Sequence, residues 1–261
     1  MQCPGMILQQ INRQIVKIMG LFGFLKKDKG EPRSGVVIDV TDTTFKRQVI
    51  QRSHKMPVLV DFWATWCRPC QVLGPILEDL AMDPQSEFTL AKLNTENNQQ
   101  TARQQQIQSI PAVKMFRNGQ VVDDFTGARP GGLVKRFVNK SLEKSLPAPK
   151  ISGSSDPGQR LVQARRHLAK GRGFEAYVLL DNFPEGAEQA DAQTLLPVAS
   201  FLFDMDLGDL PVDKYGAPAE ALRKRKYDVA LTALAALEES DEDDVDVQAL
   251  ELGIEALKNG R

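Results

Sequence analysis

The sequence is poor in the residues that build disulfide frameworks and metal sites. Its 261 residues include three cysteines and two histidines. An odd number of cysteines with a single close pair does not describe the disulfide framework of a small secreted domain. A structural zinc site takes about four ligands, usually Cys or His. Outside the close pair only Cys3, His54 and His167 remain, at no recognisable metal spacing. The close pair is therefore better suited to redox chemistry than to metal binding.

The sequence also lacks a charge excess of one sign and a long apolar run. It has 33 basic and 34 acidic residues, so no global basic field attracts nucleic acid or an anionic membrane. Residues 1–35 are apolar in places, but Arg13 and Lys17 interrupt them and no small-residue cleavage site follows. This pattern disfavours a secretory signal and a membrane span. We expect a flexible leader here, or a short amphipathic helix.

Strand-like and helix-like segments alternate between residues 36 and 144. The predicted strands cover residues 36–40, 58–64, 87–93, 112–116 and 121–125. The predicted helices run from Thr43 or Thr44 to Arg52, and over 67–81, 98–106 and 130–144. Asn118-Gly119, between the last two strands, is a strong signal for a tight hairpin turn. This order predicts an α/β sheet covered by helices.

The composition changes after residue 144. Residues 145–158 are rich in Pro, Ser and Gly, which is typical of a linker. Residues 159–261 show no strand pattern and predict a second, helical domain, in which segments 168–183 and 222–237 align at a constant offset of 54 residues. The aligned pairs are Leu168 with Leu222, Ala176 with Ala230, Leu180 with Leu234, and Phe183 with Leu237. This internal echo indicates degenerate tetratricopeptide-like helix pairs, although such repeats normally recur every 34 residues. Two unrelated amphipathic helices are the alternative.

The close cysteine pair lies in Trp-Cys-Arg-Pro-Cys, residues 66–70, between a predicted strand and a predicted helix. At the start of a helix, unpaired backbone N–H groups and the positive end of the helix dipole favour the thiolate of Cys67. Cys70 lies about one helical turn further on and can face Cys67, while Pro69 suits an early helical position. We expect Cys67 to attack a disulfide and Cys70 to resolve the mixed disulfide. Two inert buried cysteines are the alternative.

A carboxylate, Asp61, interrupts the apolar run that leads to the cysteines. Burying an acid costs several kcal/mol unless its charge is satisfied or used. We expect Asp61 to lie beneath Cys70 and to accept its proton, with a pKa raised towards neutrality as a general base needs. Lys92, on the next strand, is the candidate charge partner. An ordinary Asp61–Lys92 ion pair without a catalytic role is the alternative. A cis bond at Ile110-Pro111 would present the backbone of Ile110 to an extended peptide.

Taken together, these segments make residues 36–144 similar to a thioredoxin domain. The resemblance rests on VLVDFWATWCRPCQ (58–71), LAKLN (90–94), SIPAVKMFRNG (109–119) and Phe-Thr-Gly-Ala (125–128). It implies that Cys67 is the attacking thiol, Cys70 the resolving thiol, Asp61 a buried acid paired with Lys92, and the bond before Pro111 cis. The residues implied to border the substrate groove are Trp66, Arg68, Pro69, Ile110, Pro111 and Gly127. Apart from the redox-active Cys67–Cys70 disulfide, the resemblance implies no cofactor.

Two residues depart from the usual thioredoxin motif. Arg68 stands where glycine is usual, and Gln71 stands where a lysine usually follows the second cysteine. A cation at Arg68 should favour the thiolate of Cys67 and, by stabilising the reduced form, make the couple more oxidising. An Arg68 side chain that points into solvent and changes little is the alternative.

The order of the two parts resembles a wider family. A thioredoxin domain followed by a degenerate tetratricopeptide-like region resembles bacterial co-chaperones of the YbbN/CnoX type, the chaperedoxins. The resemblance implies a cytoplasmic protein that holds unfolded or oxidised client proteins, exchanges disulfides with them and works with a chaperonin. A reductant of the thioredoxin-reductase type or glutathione is expected, and no nucleic-acid or membrane partner. A plain protein-disulfide reductase with a substrate-selecting helical domain is the alternative. A non-catalytic adaptor is disfavoured by the two cysteines.

Two features near the end of the sequence suit partners. Residues 238–246 are strongly acidic and indicate either a solvated loop or a contact with a basic surface. Val247, Leu250, Ile254 and Leu257 form an apolar stripe on the last predicted helix. The stripe predicts packing against the preceding helices or, alternatively, a docking helix for a chaperonin.

Overall fold

The computed structural model describes residues 36–144, 155–237 and 245–260. The predicted leader at 1–35, residues 145–154 of the predicted linker and residues 238–244 of the acidic stretch lie outside the described residues. The described chain forms a mixed sheet with helices, followed by a largely helical region. Within these three ranges no helix combines the length and apolar character needed to cross a membrane.

The first region is built on a five-stranded sheet in the order β1-β3-β2-β4-β5. The strands are β1 (Val37–Asp39), β2 (Val58–Trp63), β3 (Thr89–Asn94), β4 (Ala112–Arg117) and β5 (Gln120–Thr126). β3 pairs in parallel with β1 and β2, whereas β4 runs antiparallel to β2 and β5. β2 is central and buried at five of its six positions, which explains its nearly continuous apolar sequence.

Three α-helices cover this sheet: α1 (Arg68–Ala81), α2 (Gln99–Gln104) and α3 (Gly131–Glu143). The predicted α/β architecture is therefore confirmed. The regular helix predicted before Pro57 is wrong in type, because the chain there is π-helical over Lys46–Gln51 and 3-10 helical over Arg52–His54. We call residues 46–54 the irregular helix. The N–H of Arg52 donates to the carbonyl of Arg47, five residues back, as in a π-helix.

The predicted hairpin turn between β4 and β5 is also confirmed. Asn118 and Gly119 both have left-handed backbone angles, with φ of 49° and 74°, as a two-residue turn of this kind requires. Their N–H groups donate to the carbonyl and to the hydroxyl of Ser53, each at 2.8 Å. The hairpin turn is therefore fixed to the irregular helix.

The second region consists of six described helices. They are α4 (Pro157–Leu168), α5 (Gly173–Leu180), α6 (Gln189–Leu207), α7 (Val212–Arg223), α8 (Tyr227–Ala235) and α9 (Val247–Lys258). α4 begins inside the stretch predicted to be linker, because the Asp156 carboxylate accepts the N–H of Gln159 at 2.8 Å and Pro157 suits the first helical position.

The 54-residue echo corresponds to two equivalent helical hairpins, α4–α5 and α7–α8. In the first turn, the N–H of Arg172 donates to the carbonyl of His167 at 3.0 Å. In the second, the N–H of Lys226 donates to the carbonyl of Ala221 at 2.8 Å. Each donor and each acceptor is 54 residues from its counterpart. The residues before the two donors, Gly171 and Arg225, are both left-handed, and all eight residues of the echo belong to, or pack against, one core.

The apolar stripe on α9 packs against the preceding helices. Leu250 and Ile254 are fully buried, and Val247 and Leu257 pack against the same core. A Cβ atom at Gly253 would lie 2.5 Å from Val198 Cγ2 on α6, so the two helices approach closely. The stripe therefore packs against the preceding helices, which is the first of the two arrangements predicted from the sequence.

The helical region contacts the sheet region through the irregular helix. Arg52 is 6% exposed, and its guanidinium donates to both carboxylate oxygens of Asp209, at 2.8 and 3.1 Å. Gln48 Nε2 donates to the carbonyl oxygen of Leu207 at 2.9 Å. Two-point pairing of this kind orients a guanidinium as well as binding it.

Lys55, just beyond the irregular helix, adds a second cation to this contact. Its Nζ forms an ion pair with Asp204 and donates to the Ser200 hydroxyl at 2.7 Å. It also lies 5.0 Å from the ring centroids of Tyr177 and Phe203, within the range of cation–π attraction. α6 therefore provides both charged and aromatic partners for the sheet region.

This contact lies at the end of the sheet opposite to the close cysteine pair. Lys55 precedes β2 and Cys67 follows it, and a six-residue strand at about 3.3 Å per residue is roughly 20 Å long. The hairpin turn bound to Ser53 lies at the same end as Lys55.

Candidate active site

The cysteine pair lies where β2 leads into α1. Cys67 is the N-cap residue of α1, and its Sγ accepts the N–H of Cys70 at 3.2 Å. The two cysteines form a disulfide with a Cα–Cα distance of 5.3 Å, and they are 3% and 4% exposed. Pro69 lies in the first turn, as predicted. The Cys70 N–H and the positive end of the α1 dipole favour the thiolate of Cys67 once the disulfide is reduced.

The loop before Cys67 is held by polar contacts to side chains on both sides. The N–H and the hydroxyl of Thr65 donate to Glu96 Oε2 at 2.9 and 2.6 Å, and Gln71 Nε2 donates to the Thr65 carbonyl at 3.0 Å. Hydrogen bonds from Thr65 lower the pKa of Glu96. Trp66, between these contacts and Cys67, is 69% exposed. Sequence reasoning missed Thr65 and Glu96, because 31 residues separate them and neither belongs to a recognisable motif.

The Ile110–Pro111 peptide bond is cis, as the resemblance implied. Ile110 packs against the small cluster formed by Ala64 and the two cysteines. Gly127, at φ 87°, donates its N–H to the Pro111 carbonyl at 2.8 Å. The structure thus brings Ile110 to the cysteine pair and joins Pro111 to Gly127.

Arg68, the other predicted groove residue, is exposed next to Cys67. No ion pair of Arg68 occurs within the described ranges. Its effect on the thiolate of Cys67 is still a prediction.

Asp61 is a buried carboxylic acid on the strand that leads to the cysteines. It is 2% exposed, and its Oδ1 has no hydrogen-bond partner among the described residues. Burial raises the pKa of Asp61 to about 7, Lys92 opposes that rise, and Glu78 adds to it. An acid with such a pKa can exchange a proton near neutral pH. Proton transfer from Cys70 to Asp61 is still a prediction.

Lys92 lies beside Asp61 in the register of β2 and β3, but its ion pair is with another acid. Lys92 Nζ is 2.5 Å from Glu78 Oε1 on α1, and it lies 5.5 Å from the ring centroid of Trp63. The direct Asp61–Lys92 ion pair expected from the sequence is absent among the described residues, because Glu78 competes for the ammonium group. Glu78 was missed, although it lies only eight residues after Cys70, about two turns further along α1.

The site is organised for two-electron exchange between a dithiol and a disulfide. No cluster of three or more His, Cys, Asp or Glu side chains that could hold a metal occurs in the described part of the chain. The N-capped cysteine, the facing second cysteine, the acid on the preceding strand and the cis proline define a thiol–disulfide exchange protein.

Comparison with known proteins gives the family. The thioredoxin family profile matches residues 36–140. Thioredoxin 1 of Nostoc sp. is 42% identical over 107 residues, which are 41% of this chain and 94% of that protein. Thioredoxin 1 of Synechococcus elongatus is 40% identical over 107 residues, covering 41% of this chain and 98% of that protein. The chain belongs to the thioredoxin family.

A longer relative is similar in the same part of the chain. The bifunctional thioredoxin reductase/thioredoxin of Mycobacterium leprae is 45% identical over 96 residues, or 37% of this chain. The match spans only 20% of that protein's length. The matches to these three relatives cover at most 41% of the chain, too little to span both the sheet region and the helical region.

Proposed function

We propose that this protein is a redox-active co-chaperone that exchanges disulfides with client proteins through Cys67 and Cys70 and binds them through its helical region. One observation carries the proposal. A cysteine pair with thioredoxin geometry lies beside exposed Trp66 at one end of a sheet, and a helical region is attached by Arg52 and Lys55 at the other end. In the described part of the chain, this attachment lies away from the edge that carries the cysteines.

The proposed exchange begins with reduced Cys67, whose thiolate attacks one sulfur of a client disulfide. The client S–S bond breaks, the other client sulfur leaves as a thiolate, and a mixed disulfide with Cys67 forms. The backbone at Ile110–Pro111 is suited to align an extended client segment beside Cys67, in the manner of a strand added to a sheet edge. Trp66, Arg68, Pro69 and Gly127 are the other proposed groove residues.

For the helical region we propose a tetratricopeptide-like domain at 159–261, joined to a thioredoxin domain at 36–144 by a linker at 145–158, the last residues of which already form the start of α4. The two equivalent hairpins support this division, because stacked helical hairpins form extended surfaces for peptides. A client held by both surfaces would gain effective concentration at the cysteines, provided that it spans the length of β2.

The proposed reductant is a thioredoxin-reductase-type enzyme, by analogy with the Mycobacterium leprae relative whose name contains both activities, and glutathione is the alternative. We also propose a cytoplasmic location and a chaperonin partner. Because the buried stripe of α9 is occupied by packing, a chaperonin contact on α9 would have to use its outer face, where Leu252 is 67% exposed. Leu252→Glu should then abolish co-purification with the chaperonin, and unchanged co-purification would reject this contact.

Two assays on the full chain test the main proposal. The first follows the reduction of an accessible disulfide in a model protein, with dithiothreitol as the electron source. The second follows light scattering by a protein that is unfolding under heat. Wild type is compared with a Cys67→Ser, Cys70→Ser double variant. We expect wild type alone to catalyse reduction and both forms to suppress aggregation.

The alternatives predict other results. A plain reductase with a substrate-selecting helical region would reduce the disulfide but leave aggregation unchanged in both forms. A wild type that suppresses aggregation but does not catalyse reduction would be an adaptor, and the proposed exchange would be wrong. With Cys70→Ser alone, the mixed disulfide should persist, so its captured partners identify the clients.

A further inference from the structure

Lys92 lies between two carboxylates and pairs with only one of them. Its neighbour across the β2–β3 ladder is Asp61, but its Nζ is bound to Glu78 on α1 at 2.5 Å. The side chains of Lys92 and Glu78 are 24% and 35% exposed, so the pair lies at the border of the core, while Asp61 is inside it. In this arrangement the Asp61 Oδ1 atom has no hydrogen-bond partner among the described residues.

The charged groups that face Asp61 come from two elements. β3 provides Lys92 and α1 provides Glu78, and burial, Lys92 and Glu78 together set the pKa of Asp61 near 7. β4, which flanks β2 on its other side, places the apolar residue Val113 opposite Asp61. The balance between the cation of β3 and the anion of α1 therefore controls how readily Asp61 takes up a proton.

We propose that Glu78 is a positioning residue for the exchange reaction: by binding the Lys92 ammonium, it prevents a direct Asp61–Lys92 ion pair and keeps Asp61 able to accept the proton of Cys70. This inference rests on the proposed exchange function. Cys70 and Glu78 are both on α1, about two helical turns apart, so the thiol that must lose a proton and the carboxylate that holds the lysine belong to the same helix.

The step served by Asp61 is the resolution of the mixed disulfide. Cys70 gives its proton to the Asp61 carboxylate, and the resulting thiolate attacks Cys67 Sγ. The Cys67–Cys70 disulfide forms as the bond between Cys67 and the client sulfur breaks. The client leaves as a thiolate and takes up a proton. Over the full cycle the client disulfide gains two electrons and the dithiol loses them.

The test uses Glu78→Gln in the full chain, with Asp79→Asn as the matched control. Both changes replace an acid by its amide, but Asp79 is on the exposed side of the same helix. Titration of the Asp61 carboxyl by carbon-13 NMR in the oxidised protein is the first readout. A direct opposite charge lowers a carboxyl pKa by about 1–3 units, so we expect Glu78→Gln to lower that of Asp61 by about one unit. Asp79→Asn should leave the pKa of Asp61 unchanged.

A double-mutant cycle of Glu78→Gln and Lys92→Met separates two effects of Glu78 on Asp61. One is the positioning of Lys92, and the other is the direct effect of the Glu78 charge. If Glu78 acts by holding Lys92, Glu78→Gln shifts the Asp61 titration much less in the Lys92→Met background than in wild type. An equal shift in both backgrounds would overturn the positioning role, and so would an Asp61 titration that Glu78→Gln leaves unchanged.

The pH profile of the reduction rate is the second readout. In Glu78→Gln, the midpoint of its acidic limb should move to lower pH by the same amount as the pKa of Asp61. An acidic limb with an unchanged midpoint would contradict the proposal. A wild type that reduces no disulfide at any pH would instead reject the proposed function, while the NMR titration would still decide the arrangement of Glu78, Lys92 and Asp61.

Discussion

Replacing Asp61 with asparagine should make the stability of the oxidised protein less sensitive to pH. In the folded wild type, burial raises the pKa of Asp61 to about 7, whereas in the unfolded chain an aspartate titrates near its ordinary value of about 3.9. Between these two values the unfolded chain has released the proton that the folded protein still holds. Rising pH therefore favours the unfolded wild type in this window, and asparagine removes the effect.

The size of the effect follows from the two pKa values. A difference of about 3 units, at about 1.4 kcal/mol per unit, gives about 4 kcal/mol. The free energy of unfolding of Asp61→Asn, minus that of wild type, should therefore increase by about 4 kcal/mol between pH 4 and pH 8. Any cost of burying the amide itself does not depend on pH and cancels from this change.

Guanidinium chloride unfolding of the oxidised chain at several pH values measures this difference, with Asp79→Asn as the control for a surface carboxylate. The control should follow wild type to within about 0.5 kcal/mol at every pH, as substitutions at exposed positions usually do. A difference between Asp61→Asn and wild type that stays constant from pH 4 to pH 8 would show that Asp61 ionises normally. The assignment of Asp61 as a neutral-range base would then be refuted.

Three further predictions concern stability. In a double-mutant cycle of Lys55→Met and Asp204→Asn, we expect a coupling free energy of about 1–3 kcal/mol, because the half-buried ion pair joins the two regions. Arg117→Met should lower the free energy of unfolding by about 2 kcal/mol, since Arg117 Nη1 donates to three carbonyls at the end of α3. Arg225→Gly should raise it by about 1 kcal/mol, because Arg225 is left-handed at φ 60°. Denaturant unfolding measures all three.

Each of these has a matched control and a contradicting result. Lys46→Met removes an exposed cation of the irregular helix, and its coupling free energy with Asp204→Asn should be close to zero. A coupling free energy equal to that of Lys55→Met would show that the Lys55–Asp204 ion pair is not specific. Lys140→Met, on the exposed side of α3, should cost under about 0.5 kcal/mol, and the same loss as at Arg117 would argue against capping. Lys224→Gly, at φ −89°, should lower the free energy of unfolding. If it instead raised this free energy as much as Arg225→Gly, the left-handed backbone of Arg225 could not explain the stabilisation.

Local patterns were enough to predict the elements that depend on neighbouring residues. The apolar run of β2, the left-handed Asn118-Gly119 turn and the cap at Cys67 each follow from a few adjacent side chains and their backbone preferences. The echo at 54 residues likewise predicted two hairpins, because equivalent positions of two similar hairpins need side chains of similar size to pack.

The parts that could not be predicted depend on contacts between distant residues. Arg52 and Asp209 are 157 positions apart, and nothing near either residue indicates that they meet. The ion-pair partner of Lys92 could not be predicted for the same reason. Two acids lie within its reach, and the choice between Asp61 and Glu78 is made by how α1 packs on the sheet.

The position of α6 has a consequence for how the helical region loses structure. α6 packs against α4, α5, α7 and α9, and it also provides Ser200, Asp204 and Leu207 to the sheet region. In a linear array of repeats, each unit is supported only by its neighbours, so partial unfolding from an end is inexpensive. Here both hairpins share one central helix. Local opening that reaches α6 removes a partner from every other helix except α8, so we expect protease sensitivity and amide exchange in this region to follow a single cooperative event.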